Sequence, residues 1–289
     1  MSEKGQGSDQ GGVARPMGGA SELPARVISA LALAALALAS AWFGGTILAV
    51  VWSIAAIAVL REWFLLVGVP RSALTAFWIF GSSSLVLSAF SDQLFGFESY
   101  AMIIPAAVGA VIIGIASIGR GGAPLWTSCG PIYAAIVVLA PIWLREREPD
   151  GLIALIWLFL VVWVSDIGAY FVGRRIGGPK LWPAISPKKT WAGLFGGLFF
   201  GTLFATGIVL LDRMLIGPVF IGGLALFLMT FVTSLVSELG DLFESAMKRH
   251  FGAKDSGQII PGHGGIMDRL DSFISAGLFA VIMLDLFGF

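Results

Sequence analysis

Ionic side chains are scarce in this chain: Asp, Glu, Lys and Arg make up 12% of its 289 residues, against about a quarter in a soluble domain. So little charge excludes a compact water-soluble particle, because a composition that is 57% hydrophobic would have to cover its own outside. The surplus apolar surface must face lipid. An excess of one charge sign is missing too, with 18 basic residues against 18 acidic. No overall basic field exists to displace counterions, so nucleic acid is not an expected partner. Cysteine is nearly absent. Cys129 has no intrachain disulfide partner and no CxxC companion, and ahead of an apolar run it reads as a small filler. There is no Walker-A sequence, GxSxG elbow, HExxH pair or paired-Cys zinc spacing, which sets aside the enzyme classes that rely on them.

What is present is a succession of apolar runs. Residues 1–25, rich in Gly, Ser and Gln, lack an apolar face and are expected to form a disordered cytoplasmic tail. The run from Val27 continues almost unbroken to Leu60 without a convincing cleavage site, so it reads as retained membrane helix, not as a signal peptide. A spanning helix needs ~20 mostly apolar residues. Candidate spans are 27–43, 45–60, 73–90, 100–118, 127–144, 152–172, 190–211, 216–236 and 273–289. The expected fold is therefore all-α: a polytopic membrane helix bundle of about nine spans, with eight as the alternative and no β-sheet. The expected division is an N-terminal group of membrane helices over 26–150 and a C-terminal catalytic membrane region over 151–289.

Basic residues orient the bundle, since cytoplasmic loops retain Lys and Arg. With nine spans, Arg145, Arg147 and Arg213 lie on one side and the other 15 basic residues on the opposite side. That asymmetry predicts a cytoplasmic N-terminus and cytoplasmic loops at 173–189 and 237–272. The expected location is a bacterial inner membrane.

Both of those loops carry chemistry. Asp166 sits in or near a membrane helix, where a carboxylate costs ~2.5–3.5 kcal/mol on insertion scales and so normally faces a cavity or a partner. Simple hydration at the interface is the competing reading. Arg174, Arg175, Lys180, Lys188 and Lys189 follow it, and Ser186-Pro187-Lys188-Lys189-Thr190 ends where the next helix begins. Free N–H groups and lysines there could meet phosphate oxygens, although such clusters are also ordinary anionic-lipid anchors. Further on, Ser237, Asp241, Glu244 and Lys248 share a narrow arc of one helix face. A solvated face is the usual explanation, but a helix emerging directly from an apolar span is expected to line a pocket at membrane depth. A turn at Lys254–Gly257 follows, then Pro261-Gly262-His263-Gly264-Gly265, and a restarted helix puts Asp268 and Asp271 one turn apart. Acidic oxygens suit Mg²⁺ completed by water and phosphate. Lys248, Arg249, Lys254 and Arg269 suit polyphosphate, and the glycines allow close backbone approach. Together these residue types describe a phosphoryl- or nucleotidyl-transfer site. His263 has two readings, a hydrogen bond to phosphate or a brace for the turn.

The pattern Ser245-x-x-Lys248-Arg249, four residues, Lys254-Asp255, then Pro261-Gly262-His263-Gly264-Gly265-x-x-Asp268-Arg269-x-Asp271 resembles the signature of the phosphatidate cytidylyltransferases, or CDP-diacylglycerol synthases. SELGDLFES and SPKKTWAG are also similar to that family, and the resemblance covers roughly residues 165–272. It implies an enzyme coupling CTP to phosphatidate to give CDP-diacylglycerol and pyrophosphate in phospholipid biosynthesis. It also implies Mg²⁺ as cofactor, with Asp241 and Asp268 as metal ligands and K⁺ as a candidate second cation. Asp241, Asp268, Lys248, Arg249 and Asp271 are the expected catalytic set. Ser186, Lys188, Lys189, Lys254, His263, Gly264, Gly265, Arg269 and Asp166 are the expected substrate-binding set. The family leaves room for a homodimer. The rival readings are another CTP-using membrane lipid transferase or kinase, and an ion-coupled transporter built around Asp166.

Overall fold

A computed structural model describes residues 22–90, 94, 103–118, 123–147, 149–215, 222–260 and 264–287. Of the expected tail at 1–25, residues 1–21 lie outside the described residues, as does His263, and residues 22–25 are corrected to the first turn of a helix. Nine helices are present among those described. We number them α1 Glu22–Phe43, α2 Gly45–Leu66, α3 Arg71–Ala89, α4 Ile103–Ser117, α5 Pro124–Arg145, α6 Gly151–Ile176, α7 Trp191–Leu215, α8 Gly223–His250 and α9 Met267–Leu286.

They pack in two groups. The first sets α2, α3, α4 and α5 side by side; the second joins α6 to α7, α7 to α8 and α8 to α9. Helix α5 touches α6 and α9 and closes the two groups together. Trp52 of α2 stacks on Phe273 of α9 at 4.8 Å between ring centroids and on Phe159 of α6 at 5.9 Å. Lipid tails are as apolar as these side chains, so close packing and a few interhelical hydrogen bonds hold such a core, more than escape from water. Two such bonds run from Trp157 Nε1 to Thr230 Oγ1 (2.9 Å) and between the Ser165 and Ser234 hydroxyls (2.7 Å), each worth about 0.6 kcal/mol inside a bilayer.

The outward surface is apolar, with Val111, Ile115, Phe199 and Phe204 exposed, as a lipid-facing bundle requires. Among the described residues six helices, α2, α3, α5, α6, α7 and α8, are long and apolar enough to cross a membrane. The expectation of nine spans is reduced at this level. Val27–Phe43 and Ile103–Ser117 are shorter apolar helices, and α9 opens with Asp268, Arg269 and Asp271.

The expectation of no β-sheet is corrected. Lys180–Trp182 (β1) and Ser186–Thr190 (β2) form an antiparallel ribbon, with Lys180 opposite Thr190 and Trp182 opposite Ser186. Gly177 and Gly178 leave α6 at positive φ, 67° and 89°, and turn the chain back toward the bundle. Pro179, Pro183 and Pro187 forbid helix but are tolerated at strand edges and turns. Folding the segment on itself is then how its backbone N–H and C=O groups find partners. Strands of three and five residues are too short to show a period of two in the sequence.

Candidate active site

Helices α6, α8 and α9 and the ribbon converge on one cavity of about 850 Å³. Its wall includes Asp166 from α6, Lys188 and Lys189 from β2, Asp241 and Lys248 from α8, and Asp268, Arg269 and Asp271 from α9. Glycines set the closeness of α6 and α7 that gives this wall its shape. A Cβ on Gly193 would stand 2.9 Å from the Ala169 carbonyl oxygen, so only hydrogen lets the two backbones approach as they do. Thr190 then starts α7: its Oγ1 accepts from the Gly193 N–H at 3.0 Å, the geometry of a side-chain N-cap.

The polar stripe of α8 faces inward. Ser237, Glu238, Glu244 and Lys248 are all buried, an arrangement that in a membrane helix needs partners for each charge. Two lysines supply them. Lys189 Nζ lies 2.8 Å from Glu238 Oε2 and 2.9 Å from Asp241 Oδ2, which ties the ribbon to α8. Burial works against the Lys189 charge, and Glu238 and Asp241 overcome it, holding the ammonium above its ordinary pKa. Lys248 pairs with Glu244 one turn earlier and reaches Asp268 Oδ1 at 2.7 Å. Asp268 also receives the Ser256 N–H on both oxygens, at 3.1 and 3.0 Å, and the Gly265 N–H on Oδ2 at 2.9 Å. Asp271 is buried beside these groups, within electrostatic reach of Asp241, Glu244 and Asp166.

The remaining expected residues stand elsewhere. Arg249 is exposed and donates to the Ala253 carbonyl at 2.9 Å, closing the end of α8. Lys254 is exposed, and Ser186 is taken up in the ribbon register. Gly264 bridges Ile260 at φ 83°, and Gly265 serves Asp268 through its N–H. None of these five lines the cavity among the described residues. Sequence reasoning misses Glu238, whose carboxylate shares Lys189, and Glu62. The readable signal for Glu62 is a carboxylate in an apolar helix; a second span ending at Leu60 leaves it out, whereas α2 runs to Leu66.

For a metal, no three His, Cys, Asp or Glu side chains converge on a common point among the described residues. The donor chemistry still suits Mg²⁺, which takes one or two carboxylates and completes its shell with water and substrate phosphate. Asp241 and Asp268 face the same cavity, and Glu238 Oε1 and Glu244 Oε1 are buried without a hydrogen-bond partner among the described residues, while Glu244 Oε2 is held by Lys248. Here lysine ammonium groups neutralise these acids. The wall therefore joins hard anionic oxygens to cations, a pairing suited to polyphosphate with a divalent ion.

Comparison with known proteins agrees in kind. A model of the cytidylyltransferase family matches residues 24–287. The phosphatidate cytidylyltransferase of Brucella melitensis biotype 1 is 36% identical over 275 residues, which is 93% of this chain and 94% of that protein. The phosphatidate cytidylyltransferase of Staphylococcus saprophyticus is 47% identical over 140 residues, 48% of this chain and 52% of that protein. That of Bacillus subtilis (strain 168) is 44% identical over 144 residues, 50% of this chain and 52% of that protein.

Proposed function

The chain belongs to the phosphatidate cytidylyltransferase family, and on that premise we propose that it joins CTP to phosphatidate, releasing pyrophosphate and leaving CDP-diacylglycerol in the membrane. The observation that carries this reading is the single cavity on which Asp166, Asp241, Asp268 and Asp271 meet Lys188, Lys189, Lys248 and Arg269.

The reaction is an in-line displacement. A phosphatidate oxygen forms a bond to the α-phosphorus of CTP, and the bond from that phosphorus to the β-phosphate oxygen breaks. The nucleophile is already anionic at neutral pH, so no strong base is needed. The obstacle is repulsion between two anions, and the protein's task is positioning and charge neutralisation. Lys188 and Arg269 offer cations on the cavity wall, and Arg174 and Lys180 extend them along its rim. Lys189 and Lys248 hold the acids in place and keep the site from becoming a bare cluster of negative charge. Asp241 and Asp268 are the residues that would hold Mg²⁺, and the ion when bound supplies Lewis-acid polarisation of a phosphate oxygen. K⁺ is a candidate second cation for the same acidic wall.

The site sits where α6 and α8 reach the ribbon, at the basic side of the bundle. We place that side in the cytoplasm of a bacterium, with nine helices crossing or entering the inner membrane, so that a soluble nucleotide and a lipid phosphate reach one cavity from different directions. The test is purified protein in vesicles containing phosphatidate, supplied with labelled CTP. Solvent-extractable label that depends on both Mg²⁺ and phosphatidate is the expected result. Label trapped in the vesicle lumen with no lipid product would select a transporter and overturn the proposal.

A further inference from the structure

Glu62 is a carboxylate in the last turns of α2, in the helix group that contributes nothing to the cavity wall among the described residues. It is 1% exposed. Its hydrogen-bond partners among the described residues are neutral donors from the far end of the chain: Ser256 Oγ at 3.2 Å, the Ile266 N–H at 3.1 Å and the Met267 N–H at 2.8 Å. A buried carboxylate held by neutral donors is costly unless those donors are fixed, so the contact constrains both sides.

The need on the other side is equally clear. Ile266 is the N-cap of α9 and has no side-chain acceptor for the first helical N–H groups, among the poorest residues for that position. Two of the donors at this helix start, the Ile266 and Met267 N–H groups, are satisfied by a carboxylate from roughly 200 residues earlier, and the N-terminal end of the α9 dipole favours its negative charge. Glycines make room for it. A methyl group at Gly257 or at Gly265 would overlap the Glu62 carboxylate, so these two positions are kept small by what packs on them. Ser256 is gripped twice, its hydroxyl by Glu62 and its N–H by Asp268. The connection between α8 and α9 is thus pinned between two carboxylates, one in the N-terminal helix group and one on the cavity wall.

We propose that Glu62 is a positioning residue: by capping α9 and holding Ser256, it sets where Asp268 stands on the cavity wall. This rests on the nucleotidyl-transfer reading for its kinetic consequence, and on geometry alone for its effect on the α8–α9 connection. Glu62 lies outside the cavity wall; it acts through Ser256 and through the backbone at Ile266 and Met267.

The experiment uses full-length wild type, Glu62→Ala and Glu62→Gln in lipid nanodiscs, with hydrogen exchange of the 256–267 segment measured beside steady-state rates. In Glu62→Ala, exchange in that segment rises by an order of magnitude or more while α6 and α7 keep their protection. Its kcat falls by roughly 100-fold, the cost of misplacing a group by ~1 Å from a distance, and KM for either substrate moves by less than about threefold. Glu62→Gln keeps the shape and one acceptor oxygen and recovers part of both losses. Unchanged exchange in Glu62→Ala, or wild-type kcat with a loosened segment, overturns the proposal. Should Glu62→Ala fail to insert, Glu62→Gln carries the test: intermediate exchange and kcat support it, and wild-type values of both overturn it. Wild type that converts neither substrate would sink the functional reading, while the exchange measurement would still decide whether Glu62 holds the segment.

Discussion

Lys189 and Lys248 each bridge two acids, and those four carboxylates divide into two kinds. Asp241 is partly open, with its side chain 30% exposed, and Oδ1 takes only a long 3.3 Å bond from Ser245. Asp268 is enclosed by three N–H contacts and a lysine. Asp241→Asn is therefore expected to remove charge from the cavity and to weaken one of the two pairs made by Lys189, lowering turnover by roughly 100- to 1000-fold, as loss of one electrostatic contact in such a site does, with expression and insertion intact. Asp268→Asn is expected to lower turnover as much and also to loosen the 256–265 connection, because one carboxylate oxygen becomes a donor facing N–H groups. Initial rates beside limited proteolysis separate the two. Near-normal rates in both variants would remove these acids from the chemistry. Lys189→Met leaves Glu238 buried beside Asp241 without its counter-charge. Breaking a fully buried pair costs ~3–5 kcal/mol; Lys189 keeps 20% exposure, so a loss on the order of 2 kcal/mol is expected in thermal unfolding. The pKa of Lys189 is raised in the folded protein. The stabilising contribution is thus fully present below the unfolded lysine value of about 10.4 and is lost only as pH rises through the higher folded value. The stability gap between wild type and Lys189→Met should be the same at pH 7 and pH 9, and a gap that closes by pH 9 would contradict the pairing.

At the scale of elements, the ribbon and the α8–α9 connection bring cations to acids, and they are unequally legible in the sequence. The connection is legible through residue types, acids, lysines and glycines at spacings that suit phosphate, and Asp241, Lys248, Asp268 and Asp271, singled out on that ground, line one cavity. The ribbon hides behind its prolines and reads as a stiff loop, because three- and five-residue strands leave no periodic trace. Glu62 and Glu238 are hidden for another reason. Each becomes meaningful only through a partner more than 45 residues away, and a single sequence carries no record of such distances. Thr190 joins the ribbon to α7 as its N-cap. Thr190→Ala is expected to cost about 1 kcal/mol in thermal unfolding and to weaken turnover through its neighbour Lys189. Thr190→Ser, which keeps the hydroxyl, should restore both. An alanine variant as stable as wild type would mean that α7 starts without this cap.

On the scale of the whole molecule, composition alone makes a lipid-embedded helical bundle legible, since so few charges cannot clothe a soluble surface. The number of crossings is harder to read. Apolar runs mark where helices stand, but α9 begins in the acidic wall and the helices at 27–43 and 103–117 are short, so run length alone does not separate full spans from helices that stop within the bilayer. The proposed orientation expects a tag before Glu22 to be labelled from the cytoplasm and a tag after Phe287 to be protected; labelling of both from one side would mean an even number of crossings. The claim on which the rest depends is the transfer of a cytidylyl group to a lipid phosphate in one cavity. Its most direct test gives purified protein CTP labelled differently at the α- and γ-phosphorus, together with phosphatidate and Mg²⁺. The account expects the α-label in the lipid phase and the γ-label in water as pyrophosphate, in equal amounts. Lipid carrying the γ-label, or no label in lipid with both substrates present, would contradict it.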